Sequence, residues 1–567
     1  MKYLITSALP YINGVKHLGN IIGSLLPADV YSRFLRQQDL EVLFICGTDE
    51  HGTPAEIAAK EEGLEVTVYC EKMYLKQKDI YEKFAIDFDY FGRSSAESNH
   101  QITQEIFNSL DKNGFILEEK LKQFYSVDDQ RYLPDRYVTG TCPYCKYDKA
   151  RGDQCDLCGK LLDPLDLVNP KSAISGSSNL EVKTVSHLFL ALDKLEEKVR
   201  AWIQEKEASW PVYSVSVAKK WLNEGLQPRC ISRDLDWGIS IPKPGYEDKV
   251  FYVWFDAPMA YIAITQDWAR DVAKNNDAWK KWWREDLVST QYAQFMAKDN
   301  LPFHGVMWPA MLLGADANQW KTVDCLKGFH WLTYEGGKFS TSLKRGIFSD
   351  VAIELFPADY WRYYLLANIP ESNDSDFRLD DFVTTINKDL VGVLGNFVNR
   401  VAALLDKYFE GKVPNYDVNN EHVKKLFEHC HPFAKNIEED YFGLNFRSLM
   451  RNLREMWCFG NEFITVAEPW KLIKSDKKEA GNVLAACLHL IRLYAIASYP
   501  VIPNSAIKML NYLSLSEEYT KEKFKLAESV VFDYLKPGEK LGNIELLFEK
   551  ITPEKNLELQ ERFSSVS

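Results

Sequence analysis

Long apolar runs are missing from this chain. No stretch of about 18 apolar residues occurs in its 567 residues, so a membrane span is not expected. Glycine and proline are modest, at 29 and 23 residues, which excludes collagen-like and low-complexity classes. Excess positive charge is absent too: 68 Lys+Arg stand against 81 Asp+Glu, a balance of −13. That argues against a nonspecific DNA coat, while a local basic groove stays compatible with an acidic protein. Strand-like sequence begins at Tyr3 and leaves no room for a leader, so a cytoplasmic location is the expectation. Cysteine is scarce: 11 residues cannot staple a chain of this length. Four of them nevertheless crowd between positions 142 and 158, while Cys46, Cys70, Cys230, Cys325, Cys430, Cys458 and Cys487 are scattered as small buried hydrophobes would be.

What is present suffices for several domains at about 100–200 residues each. Residues 1–115 alternate strand patterns (3–6, 42–46) with helical ones (21–37, 54–63, 66–84), as βαβ units do. Over 116–230 the texture changes to short strands and turns at 120–136, the cysteine cluster, a polar loop at 164–178 and an amphipathic helix at 188–207. This segment reads as an insertion. The α/β pattern resumes over 231–320, with a β-prone strand at 250–255. Residues 321–380 hold a Gly/Lys/Ser loop and short helices. Residues 381–535 are helical, with Ile386, Leu390, Leu394, Phe397, Val401 and Leu404 three or four apart. Residues 536–567 form a charged extension that folds back on the body.

Four constellations carry chemistry. His17-Leu18-Gly19-Asn20 sits where a strand hands over to a helix, and the first-turn amides there suit a polyphosphate. Cys142-x2-Cys145 and Cys155-x2-Cys158 place four thiolates for a tetrahedral, structural zinc; iron or redox pairs fit the same spacing. Gly336-Gly337-Lys338-Phe339-Ser340-Thr341-Ser342 offers a cation and hydroxyls on a loop without Walker spacing, and taken alone it also fits a surface turn. Trp254, Pro258 and Tyr261, with His304 further on, fit an apolar slot or ordinary core.

Jointly these stretches resemble one family, the class I methionyl-tRNA synthetases, from Met1 to about Ser514. The likeness runs through Ala8–Tyr11, His17–Asn20, Cys46–Gly52, the cysteine knuckle, Ser232–Gly238, Tyr252–Pro258, Phe303–Leu312 and Lys338–Ser342. It implies a Rossmann-type α/β catalytic domain with a parallel sheet, an inserted zinc-binding connective domain and an all-α anticodon-binding bundle. It also implies a methionine slot of Ala8, Leu9, Tyr11, Trp254, Pro258, Tyr261 and His304, with Asp49 taking the ammonium. ATP, with Mg²⁺, would meet His17, Gly19, Asn20, Asp299, Lys338, Ser340 and Ser342, and Arg233 would steady the region across the site. The catalytic group would be His17, Asn20, Lys338 and Arg233. Asn396, Arg400 and Trp470 would read the CAU anticodon of methionine tRNA, although Trp470 on its own also fits buried core.

Asn20 and Thr341 stand where the family signatures more often have histidine and lysine, and both variants resemble the eukaryotic and archaeal branch. The insertion is too small for the editing domain of leucyl, isoleucyl or valyl enzymes, and a silent tRNA-binding scaffold would be expected to lose His17, Asp49 or Lys338. No C-terminal dimerisation segment is evident, so a monomer without DNA or membrane partners is the expectation.

Overall fold

The computed structural model describes residues 1–567 except 153, 154, 156, 159, 161, 285–287, 317–319, 340–344, 516–525, 544, 545 and 564–567, and except the side chains of 135, 422 and 527. Its centre is a five-stranded parallel sheet in the order Cys325–Phe329, Thr290–Ala297, Lys2–Ser7, Glu41–Thr48, Tyr90–Arg93. The inner strands are apolar on both faces because helices cover both sides. The chain leaves the first strand in one direction for the second and third, and returns on its other side for the last two. This is a Rossmann-type order, and its crevice opens between Lys2–Ser7 and Thr290–Ala297.

The first strand runs into a helix of unusual make: Leu18–Asn20, a π-helical stretch Ile21–Leu25, then Leu26–Gln37. Between the third and fourth strands lies the insertion. Its spine is a long antiparallel hairpin, Ile116–Ser126 against Leu180–Leu190. A small sheet of Val138–Thr141, Ala150–Arg151 and Val168–Ser172 carries the cysteines.

The stretch 120–136 keeps its expected strands and turns, although its first strand is long: residues 120–126 end the strand Ile116–Ser126, a turn follows at 127–130, and Arg131–Tyr132 pairs back on Tyr125 and Ser126. Three sequence readings need correcting here. The helix expected at 188–207 starts at Leu192, since residues 188–190 complete the partner strand Leu180–Leu190; likewise Val168–Ser172 is a strand within the expected 164–178 loop. The strand expected at 250–255 is only Val250–Phe251, and Val253–Asp256 is a helical turn. There the packing of Phe255 and Val253 against the body overrides the β-propensity of the run.

Beyond the sheet, Asn396–Phe409, Glu421–Phe442, Phe446–Ala467, Lys477–Ser498 and Pro503–Tyr512 form the helical bundle. Lys477–Ser498 is long and apolar enough to cross a membrane by composition, but its apolar window is wholly buried inside the bundle. The C-terminal stretch returns to the body: Asn387 exchanges two hydrogen bonds with Ile551 before the helix Pro553–Phe563.

Sheet and bundle meet around one buried carboxylate. Asp29 accepts from Arg33 Nε (3.0 and 3.1 Å), Arg362 Nη2 (2.6 Å) and the Asp87 amide (2.8 Å). Arg362, fully buried, also donates to the carbonyls of Val501, Pro500 and Ala85. Burial would raise the Asp29 pKa, yet Arg33, Arg362 and the Asp87 N–H outweigh it and hold the carboxyl below its ordinary value. The stabilisation is therefore present above about pH 4 and lost as pH falls through the lower folded-state value. Asp29→Asn takes from Arg362 its paired carboxylate, leaves Arg33 only the exposed Asp87 at 4.0 Å, and should cost about 3–5 kcal/mol. Urea unfolding at pH 7 checks this; a variant with an unchanged midpoint would mean the cluster carries no net stabilisation.

Candidate active site

A cleft with a volume of about 370 Å³ lies in the crevice of the sheet. It gathers Ala8, Leu9, Tyr11, His17, Gly19, Asn20, Asp49, Trp254, Pro258, Tyr261, Asp299, His304 and Lys338, which the chain separates by up to 330 positions. Arg233 is not part of this lining: its guanidinium lies 3.9 Å over the Tyr252 ring. Ser340 and Ser342, with Thr341, fall outside the described residues.

Backbone pairing positions the acidic end. The Asp49 amide donates to Pro10 O and the Ile12 amide to Asp49 O, each at 2.9 Å, so the ends of the first two strands stay zipped past the sheet. The residues after Asp49 face away into fixed contacts. Glu50 takes Arg93 (2.9 Å) and Thr48 (2.6 Å), and His51 Nδ1 meets Asp256 Oδ2 at 2.5 Å. Asp49 differs: its Oδ1 is buried and makes no hydrogen bond among the described residues. Burial, then the Asp256 and Glu50 carboxylates, push its pKa well above the ordinary range, while Lys16 pulls the other way. A cation arriving there would relieve both the missing contact and the missing charge.

Beside Asp49 stands an aromatic wall. Trp254 stacks on Phe303 with centroids 3.6 Å apart, and Tyr11 meets Trp254 edge-on at 6.5 Å. Tyr261 Oη pairs with His304 Nε2 at 3.0 Å, and His304 Nδ1 with Asn300 O at 3.1 Å. Burial lowers the His304 pKa to about 4, so the ring is neutral at pH 7. The slot is apolar with one polar pair at its end, a shape suited to an unbranched thioether.

The other end is the His17 turn. Residues 347–349 run past it, the Leu18 amide bonding Ile347 O and the Ser349 amide Lys16 O. Phe339 stacks on the His17 ring at 4.5 Å and 13°. Burial and the Lys16 charge lower the His17 pKa to about 3, so this imidazole acts as a neutral hydrogen-bonding group; its Nδ1 has no partner among the described residues. A Cβ on Gly19 would stand 3.0 Å from that Nδ1 and 3.4 Å from Phe339, which explains glycine there. Asn20 Oδ1 accepts the His17 amide at 3.2 Å, so the asparagine caps the turn. Opposite, Asp299 accepts from Trp331 Nε1 at 3.2 Å, and Lys338 lies 4.8 Å over the Trp331 ring.

Lys16, Gly23, Ser24, Asn300, Trp331 and Phe339 also line the cleft and were not singled out from sequence. Position next to His17 was the available signal for Lys16, and Trp331 is apparent only once the strands are assembled.

Two further sites lie apart. The Sγ atoms of Cys142, Cys145, Cys155 and Cys158 all fall within 4.8 Å of one another, with 142–158 at 3.9 Å and 145–155 at 3.5 Å. Tetrahedral zinc with bonds near 2.3 Å needs sulfurs about 3.8 Å apart, so the donor set fits that ion. In the bundle, Arg400 lies 5.3 Å over the half-buried Trp470 and reaches Thr465 Oγ1 at 3.4 Å, while Asn396 Nδ2 meets Asn461 Oδ1 at 3.4 Å. Trp470 belongs to a short helix, Pro469–Ser475, rather than to the loop suggested by Pro469.

Residues 3–402 match the family model of class I (M) tRNA synthetases, and 413–567 that of the anticodon-binding domain of methionyl-tRNA ligase. The chain is 50% identical to methionine–tRNA ligase 1 of Acaryochloris marina, over 99% of this chain and 100% of the relative. It is also 50% identical to the methionine–tRNA ligase of Streptomyces avermitilis, over 99% of each. In fold it resembles Mycobacterium tuberculosis methionyl-tRNA synthetase solved with methionyl-adenylate, at TM-score 0.77 and 24% identity over 97% of this chain and 100% of that one.

Elemental analysis should find one zinc per chain, with sulfur-only coordination by X-ray absorption. Cys145→Ser should lower the melting temperature while changing the affinity of the main cleft less than about threefold. Nitrogen or oxygen in the first shell would contradict the assignment.

Proposed function

The chain belongs to the class I methionyl-tRNA synthetases, and on that premise we propose how its residues divide the work of methionine–tRNA ligation. The enzyme activates methionine with ATP and charges tRNA. The observation that carries the residue assignment is the buried Asp49 oxygen without a partner among the described residues, set between an aromatic slot and a helix-start turn.

The methionine ammonium sits on Asp49. Its side chain lies against Ala8, Leu9, Tyr11, Trp254, Pro258, Tyr261 and His304, and its carboxylate points toward the His17 turn. ATP spans that turn: the Gly19 amide, the Asn20 side chain and the neutral His17 ring face the phosphates, Asp299 takes the ribose, and Lys338 with Ser340 and Ser342 meets the pyrophosphate end. Mg²⁺ bound to the nucleotide would offset phosphate charge. One carboxylate oxygen bonds the α-phosphorus as the bond to the bridging oxygen breaks, and that electron pair leaves on pyrophosphate. No side-chain nucleophile is needed, so alignment and electrostatics are the whole catalytic contribution. Arg233, over Tyr252, steadies the region across the cleft. The terminal adenosine hydroxyl of tRNA then attacks the adenylate carbonyl and AMP leaves.

The domain division follows the same reading: catalytic halves at 1–115 and 231–320, the zinc insertion at 116–230, the loop-bearing link at 321–380, whose strand Cys325–Phe329 completes the catalytic sheet, the anticodon bundle at 381–535 and the returning extension at 536–567. Asn396, Arg400 and Trp470 read the CAU anticodon, Trp470 by stacking and the other two by hydrogen bonds to base edges. The enzyme works as a cytoplasmic monomer, without DNA or membrane partners. Asn20 and Thr341 are variants of eukaryotic and archaeal type in a chain whose relatives named above are bacterial.

ATP–pyrophosphate exchange and aminoacylation, measured together on the unaltered enzyme and on Trp470→Ala, test this reading. Exchange should depend on methionine, with leucine far slower; equal rates for the two would sink the assignment. Losing one base stack should lower aminoacylation efficiency about 5- to 150-fold and leave exchange unchanged. A mutant that melts early and loses both reactions would make Trp470 packing instead.

A further inference from the structure

Lys16 has no part in the assignment above. Its side chain is 6% exposed and lines the same cleft as Asp49 and His17. The hydrogen bond it makes is to a neutral group, Asn13 Oδ1, at 2.9 Å. Its backbone is fixed from outside, the carbonyl accepting the Ser349 amide at 2.8 Å, so the ammonium is held at this depth. A buried ammonium without an anion in contact is costly.

Its surroundings define which anion belongs there. The acid that acts on Lys16 through space is Asp49, and the Lys16 charge in turn acts on His17. Lys16 thus stands in electrostatic reach of both ends of the reacting geometry. Burial has already drawn its pKa down to about 7, as for a cation short of a counter-ion. Lys338, the other lysine of the lining, is exposed and lies over Trp331, and His17 is neutral.

We propose that the Lys16 ammonium receives the methionine carboxylate and stays with it on the α-phosphoryl oxygens as the adenylate forms. The inference rests on the ligase reading. In methionine the carboxylate and the ammonium share one carbon, so an ammonium on Asp49 brings the carboxylate to the stretch of wall between Asp49 and His17. The carboxylate oxygen then bonds the α-phosphorus, the pyrophosphate oxygen takes the departing electron pair, and Lys16 remains protonated throughout. The negative charge passing from carboxylate to phosphoryl oxygens stays opposite the same cation.

The test compares two ligands on three proteins. Affinities for L-methionine and for L-methioninol, which keeps the ammonium and thioether but lacks the carboxylate, are measured by calorimetry on the unaltered enzyme, Lys16→Met and Lys16→Arg. Exchange is measured on all three. Lys16→Met should lose methionine affinity about 10- to 100-fold, keep methioninol affinity within twofold and lower the exchange kcat; Lys16→Arg should recover most of each. The ratio of the two affinities within one sample is independent of the fraction folded, so a destabilised variant still answers. An unchanged ratio in Lys16→Met would overturn the proposal and leave the ligase reading intact. Failure of the unaltered enzyme to exchange with methionine would instead overturn that reading, and this inference with it.

Discussion

Asp29 ties the catalytic sheet to the helical bundle through two guanidiniums, one from the helix behind the cleft and one from the helix Ala358–Ala367. Arg362 reaches on to the turn at 500–501, and Arg33 to Tyr499 Oη at 3.1 Å. Around this core the packing is continuous: Phe34 stacks on Tyr441 at 4.5 Å, and Gln37 donates to Ile496 O at 3.3 Å. Desolvating three charges is expensive, and a hydrophobic junction of equal volume would serve stability as well or better. What the polar cluster adds is direction. Arg362 spends its donors on named carbonyls, which fixes the bundle against the sheet in one orientation, and an enzyme that selects a tRNA at one end and reacts at the other needs that.

The cleft follows a similar economy. Three consecutive polar residues, Asp49, Glu50 and His51, leave the second strand of the sheet together. Two are consumed internally by Arg93 and Asp256, which makes the third a rigidly placed carboxylate with capacity to spare. Both histidines of the lining are neutral at pH 7, because burial outweighs any charge that would keep them protonated. As neutral rings they can offer directional hydrogen bonds, and the positive charge lining the cleft comes from Lys16 and Lys338.

The parts of this architecture that depend on local pattern were readable in the sequence. The strand–helix alternation of the first hundred residues, the apolar spacing from Ile386 to Leu404 and the cysteine knuckles each have a period or spacing tied to one geometry. What escaped depends on distant partners. The long hairpin of the insertion is set by pairing across more than fifty residues, so the length of its strand Ile116–Ser126 does not show in the local pattern. Val253–Asp256 looks like strand by composition and becomes a helical turn because the body packs on it. The π-helical stretch that puts Gly23 and Ser24 into the cleft has no clear sequence signal. Lys16 reads as an ordinary surface lysine until residues 347–349 close over its backbone. The site was legible mainly through family signatures, not through chemistry visible at single positions: Trp254 or His304 alone is indistinguishable from core.

The claim on which the account turns is that Asp49 and the aromatic slot hold methionine while the His17 turn holds the nucleotide. A crystal structure with a non-hydrolysable methionyl-adenylate analogue tests it most directly. The account expects the ligand ammonium within hydrogen-bond distance of Asp49 Oδ1, the thioether between Trp254 and Tyr261, and the phosphate mimic beside His17. An ammonium bound elsewhere, with Asp49 Oδ1 still lacking a partner, would contradict it.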